Sequence, residues 1–67
     1  MNEPITARMK ATEAKREVAF RKNVYPRMIA KGTMKFDDAT WRIRVMEEIM
    51  NDYELKAAQD EQEERQV

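Results

Sequence analysis

The two halves of this chain carry opposite charge. Residues 1–35 contain nine Lys/Arg and three Asp/Glu, a net +6, whereas residues 36–67 contain four Lys/Arg and ten Asp/Glu, a net −6. The halves meet beside the chain's one glycine, Gly32. A basic segment followed by an acidic one can neutralise itself by folding back antiparallel, or by pairing with a second copy. The charge division therefore favours a helical hairpin.

The first half has the composition of a long helix from Ile5 to about Val24, with Pro4 suited to its first turn. Small side chains recur on one face of this helix, at Ala7, Ala11, Ala14 and Val18. Ile5, Met9 and Phe20 lie roughly on the opposite face. The small-residue stripe indicates either close approach of a second helix or simply high helix propensity.

The middle of the chain carries helix-breaking residues. Pro26 either starts a short helix that runs to Lys31 or kinks a continuous helix. Gly32 suits the left-handed position that ends helices. The next helix begins after an N-cap at Lys35 or at Thr33, and two aspartates at positions 37 and 38 complement its N-terminal dipole.

The second half contains the clearest periodic pattern. Apolar residues recur at alternating spacings of four and three residues, at Ala39, Ile43, Met46, Met50, Tyr53 and Ala57. A second apolar line follows a neighbouring face, at Trp41, Val45 and Ile49. The combined surface is wider than one helical partner requires, so we expect one line to cover the first helix and the other to meet something else.

These patterns predict an all-α protein: a helical hairpin of two long helices with a short middle helix starting at Pro26. A chain of 67 residues without cysteine or histidine has no disulfide or zinc site to support a small core, so we expect a homodimer. Residues 1–58 are predicted to form a single helical domain. Residues 59–67 form either an acidic helical extension or a disordered tail.

Missing residue types argue against catalysis. The chain has no Cys, His or Ser, which removes the usual nucleophiles, the usual neutral-pH base and most zinc ligands. We therefore expect no catalytic residue, no metal site and no cofactor. No apolar run reaches the length of a membrane span and no signal peptide is evident, so we expect a cytoplasmic protein that does not associate with membranes.

Binding to proteins is the leading functional prediction. Trp and Arg are enriched at binding hot spots, and Trp41 stands beside two arginines. The predicted partner or dimer interface comprises Trp41, Arg42, Val45, Met46, Ile49, Met50 and Tyr53. The predicted acidic binding surface comprises Glu47, Glu48, Asp52 and Glu54.

Nucleic-acid binding is the alternative. The basic first half offers possible phosphate contacts at Arg16, Arg21, Lys22, Arg27, Lys31 and Lys35. The turn before the last helix also permits a helix-turn-helix interpretation, in which Thr40, Arg42 and Arg44 contact bases. Against this alternative, the basic residues form no single stripe, and the acidic last helix would repel DNA.

Part of the chain resembles short proteins of tailed phages and prophages, most of which have no assigned function. The resemblance covers residues 21–49 and rests on Val24-Tyr25-Pro26, Gly32, Asp37-Asp38-Ala39 and the Ile43, Met46, Ile49 pattern. It implies a small accessory protein that binds and modulates, as an inhibitor, a host or phage protein in the host cytoplasm. A virion assembly component is a third possibility. The hairpin also resembles a short bacterial oligomerisation domain, from which Met34 and Lys35 depart.

Overall fold

Two antiparallel α-helices form the structure. The computed structural model describes residues 3–65, with helix α1 at Ala7–Ala30 and helix α2 at Phe36–Arg65. No strand occurs within these residues, so the predicted all-α helical hairpin is confirmed. The molecule measures 53 × 25 × 13 Å. Since a helix with its side chains is about 10–12 Å across, the hairpin is one layer thick.

Helix α1 begins later than the sequence pattern indicates. Thr6 is its N-cap, with an extended backbone (φ −93°, ψ 163°), and its Oγ1 accepts a hydrogen bond from the backbone N–H of Met9 at 3.2 Å. This bond satisfies one of the N–H groups that the first helical turn leaves without a partner. Pro4 therefore precedes the helix and is not in its first turn.

Helix α1 continues through Pro26, and the structure shows no separate middle helix at this position. Proline removes one backbone N–H, so the carbonyl of Lys22 loses its usual helical partner. The helix ends four residues later at Ala30, which means that few hydrogen bonds depend on geometry beyond the proline. The alternative in which Pro26 lies within a continuous helix is the one observed.

Gly32 ends α1 as predicted. Its φ of 78° lies in the left-handed region, which glycine adopts without steric cost. The N–H of Gly32 donates to the carbonyl of Ile29 at 3.0 Å, and the N–H of Thr33 donates to that of Met28 at 2.9 Å. This pair of bonds is the Schellman motif, which satisfies carbonyls at the helix end.

Helix α2 starts from Lys35, whose carbonyl accepts a hydrogen bond from the N–H of Ala39 at 3.0 Å. Lys35 is thus the N-cap, one of the two predicted positions. The other, Thr33, belongs to the end of α1, because its hydroxyl donates to the Met28 carbonyl at 3.1 Å. Asp37 and Asp38 lie in the first turn of α2, where their charge opposes the helix dipole.

Small side chains form the seam between the helices. The buried apolar residues are Ala7, Ala11, Ala14 and Val18 of α1 with Ala39 and Ala57 of α2. The small-residue stripe therefore does pack against a second helix. The larger members of the α2 stripe flank these alanines and are only partly buried: Ile43, Met46, Met50 and Tyr53.

The acidic segment after Ala58 is helical as far as Arg65, and the last two positions of the predicted tail lie outside the described residues. Neither helix contains a stretch that is both long and apolar enough to span a bilayer, within the part of the chain that the structure describes.

Candidate protein-interaction face

The hairpin has two broad faces, and contacts between the helices distinguish them. Arg8 reaches across one face, where its Nη1 donates to Glu54 Oε2 at 2.7 Å and its Nε and Nη2 donate to the two Glu61 oxygens at 2.9 Å each. Lys22 Nζ lies 3.1 Å from Glu47 Oε2 on the same side. We call this side the ion-pair face. The hydrogen bonds to Glu61 and then to Glu54 raise the pKa of Arg8 above its usual value.

On the opposite side, the helices are joined differently. Arg21 donates from Nε to Glu17 Oε1 and from Nη1 to the backbone carbonyl of Arg42, both at 2.8 Å. Lys10 Nζ lies 5.2 Å from the ring centroid of Tyr53, a cation–π distance. No ion pair between side chains of the two helices is found on this side among the described residues.

This second side carries the exposed apolar side chains, and we call it the Trp41 face. Trp41 is 67% exposed and Ile49 is 37% exposed, with the half-buried Val45 between them. On α1, Phe20 follows Glu17 by one helical turn, so it borders the same face, and it is 57% exposed. An open groove runs along the α2 part of the face, lined by Trp41, Arg44, Val45, Glu48, Ile49 and Asp52.

The structure divides the predicted interface between two locations. Trp41, Val45, Ile49 and Arg42 lie on the Trp41 face. Met46, Met50 and Tyr53 belong to the seam stripe with the buried Ala39 and Ala57, where they pack toward α1. A stripe spaced by four and three residues shows that a surface is covered. It does not show whether the same chain or a second one covers it.

The predicted acidic surface is likewise divided. Glu47 pairs with Lys22, and Glu54 pairs with Arg8, both on the ion-pair face. Glu48 and Asp52 line the groove of the Trp41 face and form no ion pair with another described side chain. The hairpin therefore uses half of this predicted surface to hold its own helices together.

The predicted nucleic-acid contacts separate along the long axis. Arg16 pairs with Glu13 at 3.3 Å, and Arg21 and Lys22 are held by Glu17 and Glu47. The remaining members form no ion pair with a described side chain and lie at the turn end of the hairpin: Arg27, Lys31 and Lys35. Only this second group presents charge that is not already offset by a carboxylate.

The structure adds residues to the two faces that local sequence patterns do not indicate. The helical pattern puts Phe20 opposite the small-residue stripe, but its position beside the Trp41 line depends on how the two helices face each other. The network of Arg8 joins residues 46 and 53 positions apart, and local spacing carries no signal for such pairs. Leu55, 62% exposed, is a further apolar side chain on the outer side of α2.

The exposed area is large for a protein of this size. Its accessible surface is 5823 Å² at a mass of 8.0 kDa. A compact monomer of that mass exposes about 4,450 Å², so the excess is about 1,400 Å². The radius of gyration of 15.6 Å likewise exceeds the roughly 11 Å expected for a compact domain of this length. A single layer of helices leaves both broad faces uncovered.

No group of three or more acidic residues within positions 3–65 is placed so that it could hold a metal ion. No known protein family, curated protein or solved structure matches this chain. Function is therefore inferred from the geometry of the two faces.

Proposed function

We propose that this chain is a non-catalytic protein-interaction module that works as a homodimer through its Trp41 face. The main observation in favour is that the buried side chains among the described residues are alanines and one valine, while Trp41 is 67% exposed. Contiguous exposed apolar surface marks interaction sites on water-soluble proteins. Tryptophan is also among the residues that dominate binding free energies.

The available area fits a second copy. A stable interface of standard size removes about 800 Å² from each partner. This lies within the excess of about 1,400 Å² over a compact monomer. Covering the Trp41 face of one hairpin with that of another would convert two single layers into a two-layer helical bundle, the arrangement in which helices commonly bury their apolar sides.

Light scattering and sedimentation over a concentration series test this proposal. We expect the wild type to self-associate and Trp41→Ala to weaken association by at least tenfold. Phe36→Ala is the matched control, because Phe36 is similarly exposed at 68% but lies five residues earlier on α2, about 140° around the helix. A monomer at all concentrations, or equal effects of the two substitutions, would contradict the proposal.

The single tryptophan supplies an independent measurement. Dimerisation should remove the exposed indole from water, shift its emission to shorter wavelength and reduce quenching by acrylamide as the concentration rises. Fluorescence that stays constant while the mass doubles would show that association uses another surface.

We further propose that the dimer modulates a host or phage protein in the cytoplasm, as an inhibitor that presents the acidic end of α2 to a basic surface. Glu63 and Glu64 are exposed there, and Glu61 is already engaged by Arg8. A pull-down from host lysate should retain a partner on the wild type and lose it on Glu63→Gln/Glu64→Gln. A partner retained equally by both baits would argue against this role for the acidic end.

Nucleic-acid binding is the second candidate function, and the free charge at the turn end favours it. Lys31 and Lys35 are exposed and unpaired among the described side chains, next to Arg27. A mobility-shift assay at low salt tests it. Binding that is lost in Lys31→Gln/Lys35→Gln would support this alternative, and the absence of any shift would exclude it.

A further inference from the structure

A row of six residues follows α2 along the Trp41 face. Its members are spaced by four, three, four, three and four residues, which keeps them on one side of a helix. Their chemistry, in order, is acidic, basic, apolar, apolar, acidic and basic. The row consists of Asp38, Arg42, Val45, Ile49, Asp52 and Lys56.

If a second copy of the row runs in the opposite direction, each acidic residue faces a basic one and each apolar residue faces an apolar one. If the second copy runs in the same direction, like charges face each other. We propose that a second copy of this chain docks on the Trp41 face so that its α2 runs antiparallel to α2 of the first copy. The twofold axis of this dimer crosses α2 at a right angle near position 47. This inference rests on the proposed homodimer and specifies its geometry. The axis lies midway between Val45 and Ile49, so each of these residues meets the other in the second copy. Charges of opposite sign then meet at every remaining position of the row.

The pairs follow from the axis. Arg42 faces Asp52 of the second copy, and Asp38 faces Lys56 of the second copy, each pair occurring twice by symmetry. In a parallel arrangement, Arg42 would face its own copy and Asp52 would do the same, which is repulsive. The sequence of charges therefore distinguishes the two orientations.

These charged groups are free to make the contacts. The side chains of Asp38, Arg42 and Asp52 form no ion pair with another described side chain. The hydrogen bond between Arg42 and α1 is made by the backbone carbonyl of Arg42, which accepts from Arg21, and does not use the Arg42 guanidinium. Lys56 has one loose contact, 3.8 Å from Asp60 within the same helix.

Helix α1 is consistent with the same axis. Lys22 lies across the hairpin from Glu47, and Arg21 lies across from the backbone carbonyl of Arg42, so position 47 is level with the stretch of α1 around residues 16–22. Phe20, which is 57% exposed, lies within this stretch and therefore borders the proposed axis.

The overall charge distribution favours the same orientation. Residues 19–47, the turn half of the hairpin, carry seven Lys/Arg and three Asp/Glu, a net +4. The remaining residues, the open half, carry six Lys/Arg and ten Asp/Glu, a net −4. Antiparallel docking places the positive half of each copy on the negative half of the other, which lowers the electrostatic energy and steers association.

Charge reversal within the row tests the orientation. Arg42→Asp and Asp52→Arg are compared singly and together by sedimentation equilibrium, with circular dichroism as the control for folding. The two positions are ten residues apart on one helix, too far to pair within a chain. Each single reversal changes two symmetric contacts from attraction to repulsion. We expect it to raise the dimer dissociation constant on the order of tenfold, and the double reversal to restore the wild-type value.

The outcomes separate this inference from the proposed function. A wild type that stays monomeric overturns both. A dimer that single reversals leave unchanged, or that the double reversal does not restore, overturns the antiparallel orientation and leaves the homodimer intact. A spin label on Lys35→Cys gives a second measurement: antiparallel docking separates the two labels by about 36 Å along the helix axis, whereas parallel docking brings them close together.

Discussion

The alanine seam leads to a prediction that opposes the usual effect of adding apolar volume. Ala11 lies within α1 and is 0% exposed, so its methyl group contacts the facing helix. Replacing it with leucine keeps helix propensity almost unchanged but puts an isobutyl group where the structure holds a methyl. We expect Ala11→Leu to destabilise the protein.

The magnitude follows from overpacking. Extra methylene groups in a closely packed interior cost about 1–3 kcal/mol, because side chains leave their preferred rotamers or the helices move apart. Ala19→Leu is the matched control, since Ala19 is exposed on the same helix. A surface substitution of this kind changes stability by less than about 0.5 kcal/mol. The difference between the two variants isolates the effect of the seam.

Urea unfolding followed by circular dichroism measures both variants. For an m value of about 1 kcal/mol/M, the midpoint of Ala11→Leu should fall on the order of 1–3 M, and that of Ala19→Leu should stay close to wild type. All samples must share one protein concentration, because dimerisation makes apparent stability depend on it. If Ala11→Leu were as stable as wild type or more stable, the helices would not be in close contact at this level, and our account of the seam would be wrong.

Further predictions concern the helix ends and the dimer. Gly32→Ala should cost about 1–2 kcal/mol by urea unfolding, since nothing within 4 Å obstructs a Cβ at Gly32 and the cost is purely that of its positive φ; Gly32→Asn should cost less, and equal costs would refute this reading. Thr6→Ala should cost about 1 kcal/mol in the same assay through loss of the N-cap, and Thr6→Ser should restore most of it. Arg8→Gln should speed hydrogen exchange in the last turns of α2, and unchanged exchange would show that its contacts do not hold the open end. The wild-type midpoint should rise with protein concentration, and that of Trp41→Ala should rise less over the same concentration range.

Local patterns predicted the parts of the fold that depend on neighbouring residues. Gly32 identified the end of α1, because few other residues tolerate a left-handed backbone. The alanine and valine stripe was compatible both with close packing and with helix propensity alone, and the structure shows that it packs on α2. A threonine directly before an alanine-rich helical run is a signal for the Thr6 cap, whereas helix propensity alone predicts a start at Ile5, two residues before the observed one.

Features that depend on how the two helices face each other cannot be predicted from local sequence patterns. Pro26 permits either a break or a continuous helix. Which of the two forms depends on the number of helical residues after the proline, and here only four follow before α1 ends. Whether Met46 or Trp41 turns toward α1 depends on the rotation of α2 within the hairpin, which two apolar lines leave undecided. The pairing of Arg8 with Glu61 depends on register, which the turn and both caps set together.

Because the seam is built from alanines, the residues that hold the hairpin together and those on the Trp41 face are almost entirely different sets. Substituting Trp41, which is largely exposed, changes what the surface binds without creating a cavity in the interior. Variants of this scaffold can therefore acquire new binding preferences while keeping the same protomer, which makes the hairpin a convenient starting point for engineering pairs of chains that recognise only each other.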